Sequence, residues 1–271
     1  MISKTERDRI NIQRLIIEAP KQEDIRFNPK EEFSEPEFES ILSWLDLNKY
    51  TGANTIYPNA AYQLAVLFPD RKQDLKLDTK AMEIVFGYVG ATLGGWENLR
   101  ALQNVKMLFP KFFGEIPYET DPNIQESIKD MREEPWDGEM VLAAAALKIV
   151  YPKRFEEIGL TIEDYKKLKK QFEGYFASNS LWASLRIMFP EVPKNQFQTV
   201  DQLKEKKRSL LHTSKDFTSM WGWERYLNDA YELAILTADK LEIDENGIKI
   251  IPKTVTFEDK DMLPQPEARK F

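Results

Sequence analysis

The chain has no cysteine and a single histidine in 271 residues. The first absence removes disulfides, thiolate nucleophiles and zinc–cysteine centres together, and with them any secreted disulfide scaffold. The second leaves His212 without the companions that a zinc site or a nucleophilic triad requires. It reads as a semi-exposed helix residue, with a pH switch or general base as the other reading. No run of ~18 uncharged apolar residues occurs, and the opening MISKTERDRINIQRL is charged where a signal peptide carries an apolar core. There is no Asn-x-Ser/Thr acceptor. Also missing are a GxSxG elbow, a phosphate-cradling glycine loop, an HExxH pair and a dinucleotide fingerprint. These absences predict a cytoplasmic protein without membrane spans, cofactor or metal.

What the chain does contain is a phrase said five times. LAVLFP ends at Pro69, VKMLFP at Pro110, LKIVYP at Pro152 and LRIMFP at Pro190, and LAILTA is a worn fifth copy ending at Ala238. The spacings are 41, 42, 38 and 48 residues. A period of about 40 residues is that of helix-hairpin solenoids. With 42% apolar and 12% aromatic residues the chain can bury a large core.

Numbering each copy from its proline as zero exposes the constraint. Position −5 is Leu64, Val105, Leu147, Leu185 and Leu233, and position −2 is Leu67, Leu108, Val150, Met188 and Leu236. Positions −9 and −8 are mostly small or apolar. Apolar residues at −9, −5 and −2 form a helical stripe, which predicts that each phrase closes the second helix of a hairpin. The proline disfavours helix at the residue before it, so the aromatic at −1 ends the helix and plugs the seam between hairpins. Asp78, Asp121 before Pro122, Thr161 with Asp164, and Thr199 with Gln202 are start signals for the first helices. Leu241–Ile243 and Ile248–Ile251 around Glu245-Asn246-Gly247 read as a β-hairpin.

These features predict an all-α fold: a right-handed α-α superhelix of about five hairpins with a small C-terminal β-hairpin. The divisions are a charged lead-in at 1–34, the helical repeat at 35–240, the hairpin at 241–252 and a proline-containing tail at 253–271. The two-helix unit resembles the HEAT and armadillo class of α-solenoids. That resemblance implies a groove along which a partner binds and carries over no individual residues.

Charge supplies the candidate sites. The net charge is −7, but residues 162–215 hold 11 Lys/Arg against 6 Asp/Glu, an excess of +5 that leaves −12 elsewhere. Position −4 is Lys106, Lys148 and Arg186 in the three central copies and Ala65 and Ala234 in the outer ones. Equivalent positions on stacked hairpins form a ladder at about 10 Å spacing, so three cations in line would read an acidic peptide, a phosphorylated segment or a nucleic-acid backbone. The other reading is a solvated face. Trp221 and Trp223, alternating around Gly222 in an expected loop, are candidate apolar anchors. A basic patch of Lys166, Lys167, Lys169, Lys170, Lys204, Lys206, Lys207 and Arg208 would serve a phosphate backbone or would simply solubilise two helices.

The expected function is therefore a non-catalytic scaffold binding a protein or peptide along its concave face, with RNA or DNA binding through 162–215 as the alternative. A third reading, a hydrolase or glycosylase similar to the alkylpurine DNA glycosylases, rests on paired carboxylates near Trp136. Glu133, Glu134 and Asp137 read better as an exposed inter-helix loop with Trp136 packed inward, and Asp244 and Glu245 as turn formers.

Overall fold

The computed structural model describes residues 25–45, 56–91, 95–114, 122–173, 179–213 and 220–252. It is mostly helical, with one antiparallel two-stranded sheet. Two N-terminal helices, α1 (Pro29–Glu32) and α2 (Glu35–Trp44), precede the repeat. The second helices of the five copies are α3 (Ile56–Leu67), α5 (Gly95–Leu108), α8 (Gly138–Val150), α11 (Asn179–Met188) and α13 (Met220–Thr237). Their outer partners are α4 (Thr79–Ala91), α7 (Pro122–Glu133), α10 (Ile162–Phe172) and α12 (Val200–Thr213). Short helices α6 (Pro110–Phe113) and α9 (Pro152–Glu156) follow two of the prolines, and a 3₁₀ turn, Pro69–Asp74, follows the first.

The repeated phrase works as the sequence predicts. Phe68, Phe109 and Tyr151 leave the helix with φ between −132° and −129° and ψ between 61° and 75°. Each still donates its N–H to the −5 carbonyl, as Tyr151 does to Leu147 at 2.7 Å. The proline then starts the next short helix, where its missing N–H costs nothing. Thr161 and Asp164 form the expected capping box, and the Asp78 side chain accepts from the Ala81 N–H at 2.9 Å. Positions −5 and −2 are buried in all five copies.

The five second helices meet in chain order, and the last then meets the first: α13 packs against α3. Across that contact the Tyr62 and Tyr231 hydroxyls are 2.7 Å apart, and Gln63 Nε2 donates to Asn228 Oδ1 at 2.9 Å. An open superhelix keeps its terminal units apart. Here the inner helices close a ring, and the concave face becomes an enclosed axis. The N-terminal segment seals the closure from outside, with Phe33 edge-on to Phe68 at 5.2 Å and also against Tyr226 at 5.1 Å.

The hairpin pairs β1 (Lys240–Asp244) with β2 (Gly247–Ile251). It lies across the ends of α3, α5 and α8 and buries Leu241 and Ile248. Gly247 has φ 110°, and a Cβ there would fall on Met107 Sδ. Only glycine permits both the turn and this approach.

Candidate functional site

Helix α5 carries Lys106 toward the hairpin end of the ring, but not to solvent. Lys106 is 4% exposed and Arg186 is 3% exposed. Lys106 Nζ donates to the carbonyls of Ile149 and Val150 at 2.8 and 2.7 Å. Lys148 Nζ donates to Met188 O at 2.6 Å, and Arg186 to Val192 O and to Ala238 O, the latter at 3.3 Å. In the first copy, where −4 is Ala65, Lys72 performs the same task on Met107 O.

Apart from Val192 O, which belongs to Arg186's own connector, these acceptors are final-turn carbonyls that a helix leaves without intrahelical partners, or the carbonyl just beyond, at the negative end of the macrodipole. Each of these copies therefore completes the helix end of the next copy. The charged heads also lie over aromatics of their own connector: Lys106 Nζ is 5.8 Å from the Phe113 ring centre, Lys148 Nζ 4.9 Å from that of Phe155 and Arg186 Cζ 5.5 Å from that of Phe197. The expected ladder is a series of internal staples running from the first copy to the fifth, because the carbonyls hold the cations away from solvent.

Burial pushes the Lys148 ammonium down to about 8, opposed by Glu191 and Glu156. Lys106 is likewise lowered to about 8 and Arg186 to about 10. A lysine whose folded value lies below its unfolded one releases its proton first in the native state, so between about pH 8 and 10.5 the unfolded chain binds more protons. Stability from this group rises with pH across that window. Chemical denaturation at pH 7 and pH 10 should find Lys148→Met near neutral at the lower pH and costlier by on the order of 1–2 kcal/mol at the higher. A cost that does not change with pH would refute the assignment.

The basic patch divides in the same way. Lys206 is buried and paired with Glu232, and Lys207 with Glu32. Lys166 and Lys167 sit beside Glu163 and Asp164 at 3.0 and 3.2 Å, and Arg208 beside Glu205. Lys170 and Lys204 are exposed, and Lys169 is half-buried. Lys206 is thus no surface cation. The expected tryptophan loop is helical from Met220 onward. Trp223 is buried against Tyr226, while the side chains of Trp221 and His212 lie outside the described residues. Trp136 does pack inward, donating Nε1–H to Met131 O at 3.0 Å, and Asp137 caps α8. Asp244 Oδ1 accepts from the Asn246 N–H at 2.7 Å and forms the hairpin turn.

Two concavities appear that the residue pattern does not foretell, and closure creates the first of them. One is axial, with a volume of about 150 Å³, and the same register positions line it in copy after copy. Position −10 contributes Asn59, Arg100, Leu142, Ser180 and Asn228. Position −7 contributes Tyr62, Gln103, Ala145, Ala183 and Tyr231, and position −6 adds Gln63, Asn104, Ser184 and Glu232. Equivalent residues at one level mean that the five inner helices run parallel around the axis. At −6 the walls are buried, and at −10 Arg100 is exposed, so the mouth lies toward the helix N-termini.

The second concavity, about 440 Å³, lies at the opposite end beside the hairpin turn. Phe113, Tyr151 and Pro152 line it, with Lys106 and Lys153 on one side and Asp244 and Glu245 on the other. Around it the second copy departs from the pattern. Met107 at −3 and Phe109 at −1 are half-buried, whereas Val66, Ile149, Ile187 and Ile235, and Phe68, Tyr151 and Phe189, are buried. Phe112 and Phe113 are also partly exposed.

Among the described residues no group of three or more His, Asp or Glu is placed to hold a metal ion, and no helix is long and apolar enough to cross a membrane. No family model, no curated protein and no solved structure matches the chain.

Proposed function

We propose that this chain is a non-catalytic helical-repeat protein of the cytoplasm that binds a protein partner, and that the partner docks at the hairpin end of the ring rather than along a groove. The axial space of about 150 Å³ is too small for a polypeptide, so a macromolecular partner has to be met on the outer surface. The supporting observation is that Met107 and Phe109 stay half-buried at positions buried in the other copies, with Phe112 and Phe113 partly exposed beside them. An aromatic centre beside a charged rim of Lys153, Asp244 and Glu245 has the anatomy of an interaction hot spot.

The test is quantitative capture from source lysate at low and moderate salt, comparing the wild-type chain with Phe112→Asp/Glu245→Arg. We expect a protein retained by the wild type and reduced about tenfold or more by the variant, with the thermal midpoint little changed. Identical capture by both chains would overturn the reading.

A further inference from the structure

The axial cavity has two unlike walls at one depth. Between positions −7 and −3, α8 and α11 line it mainly with apolar side chains, Ala145, Ile149, Ala183 and Ile187, whereas α3, α5 and α13 line it with polar ones alone. Most of the polar wall satisfies itself. The Tyr62 and Tyr231 hydroxyls meet at 2.7 Å, and the Glu232 carboxylate accepts from Ser180 and Asn228 and pairs with Lys206. Gln63, at −6 in the same wall, is the exception.

Gln63 is 8% exposed, and its Oε1 has no donor among the described residues. The network fixes which amide atom is left over. Glu232 accepts from Asn228 Nδ2 at 2.8 Å, so Asn228 turns Oδ1 to Gln63, and Gln63 gives its nitrogen to that oxygen at 2.9 Å. A buried acceptor without a donor is costly, and a bound donor recovers the loss. Water serves the polar wall and gains nothing on the apolar one. A space of about 150 Å³ is the size that accepts a six-carbon ring in other proteins.

Charge narrows the choice. At the depth of Gln63 the one ion among the described lining residues is Glu232, which Lys206 neutralises. Arg100 and Glu224 are of opposite sign and stand nearer the mouth, at −10 and −14, with Arg100 exposed beside Glu139 at 4.0 Å. Nothing at the acceptor's depth calls for an ionic ligand. We infer that the axial cavity binds a small neutral compound, a six-membered ring bearing one O–H or N–H, whose donor meets Gln63 Oε1 while the ring lies against Ala145, Ile149, Ala183 and Ile187. The site opens at the end of the molecule opposite the hairpin, so it stands whether or not a protein partner docks there.

Thermal denaturation of the full chain with phenol tests it, with toluene as the compound of the same shape that lacks a donor. We expect a saturable rise of about 2–4 °C with phenol and about tenfold weaker affinity for toluene. Gln63→Met removes the acceptor and should weaken phenol about tenfold, to the level of toluene. Ala183→Leu fills the apolar wall and should abolish the response to phenol in a chain that still unfolds cooperatively. No saturable rise with phenol, as a cavity holding only water would give, overturns the proposal. So does equal affinity for the two compounds, or a phenol response unchanged in Gln63→Met or in Ala183→Leu.

Discussion

Replacing Glu232 by alanine is expected to cost about 3–5 kcal/mol of stability, because it strands a buried ammonium. Glu232 is 2% exposed and Lys206 is 7% exposed. The Glu232 carboxylate pairs with Lys206 and accepts from Ser180 and Asn228. Asp229, 3.7 Å from Lys206, would remain as its only nearby carboxylate among the described residues. Burial raises the Asp229 carboxyl above its ordinary value and the Glu232 charge adds to the rise, so removing Glu232 lowers it again and lets Asp229 offset part of the Lys206 charge, which puts the expected cost at the lower end of that range. The double substitution Glu232→Leu/Lys206→Met removes both charges and should return most of the loss, since two desolvated ions give way to apolar volume. Urea denaturation of the three chains measures this. A single-variant cost below about 1 kcal/mol would mean that the pair is not desolvated as placed.

The second large effect concerns closure. Leu233, at −5 of the last copy, is 0% exposed, and truncating it to alanine should cost about 2–5 kcal/mol through lost transfer energy and the cavity left behind. The diagnostic is where the loss is felt. In an open solenoid the terminal unit frays alone. Because α13 packs on α3, Leu233→Ala should also speed amide exchange in Ile56–Leu67, far away in sequence, to the same extent as in α13 itself. Exchange that rises in α13 and leaves Ile56–Leu67 at wild-type rates would refute the ring.

Much of the local structure was legible. The aromatic-proline phrase marks where a helix ends because proline restricts the residue before it, a rule that needs no tertiary context. Thr161 and Asp164 cap a helix for an equally local reason. Closure was not legible, since a repeat states how each unit meets its neighbour and not the angle accumulated over five. Lys106 and Arg186 were read as surface residues because cations usually are. Their partners, Ile149 O, Val150 O and Ala238 O, are backbone atoms and leave no mark in the residue pattern. The axial site was hidden for another reason. Gln63, Asn104, Ser184 and Glu232 share a register but no chemistry, so they form a set only when five helices surround one axis. Trp223 was misplaced because Gly222 suggested a loop, and the packing of Tyr226 and Leu227 carries the helix through it.

The staples from Lys72, Lys106, Lys148 and Arg186 bear on how such a chain can change over evolutionary time. A unit lost from the middle would leave its predecessor's cation facing an equivalent helix end in its successor, so the staples themselves tolerate a change in copy number. What resists it is the circumference: with one unit fewer or more, α13 would no longer meet α3. Change in copy number is therefore opposed at the closing contact between the first and last copies rather than at the joints between neighbours.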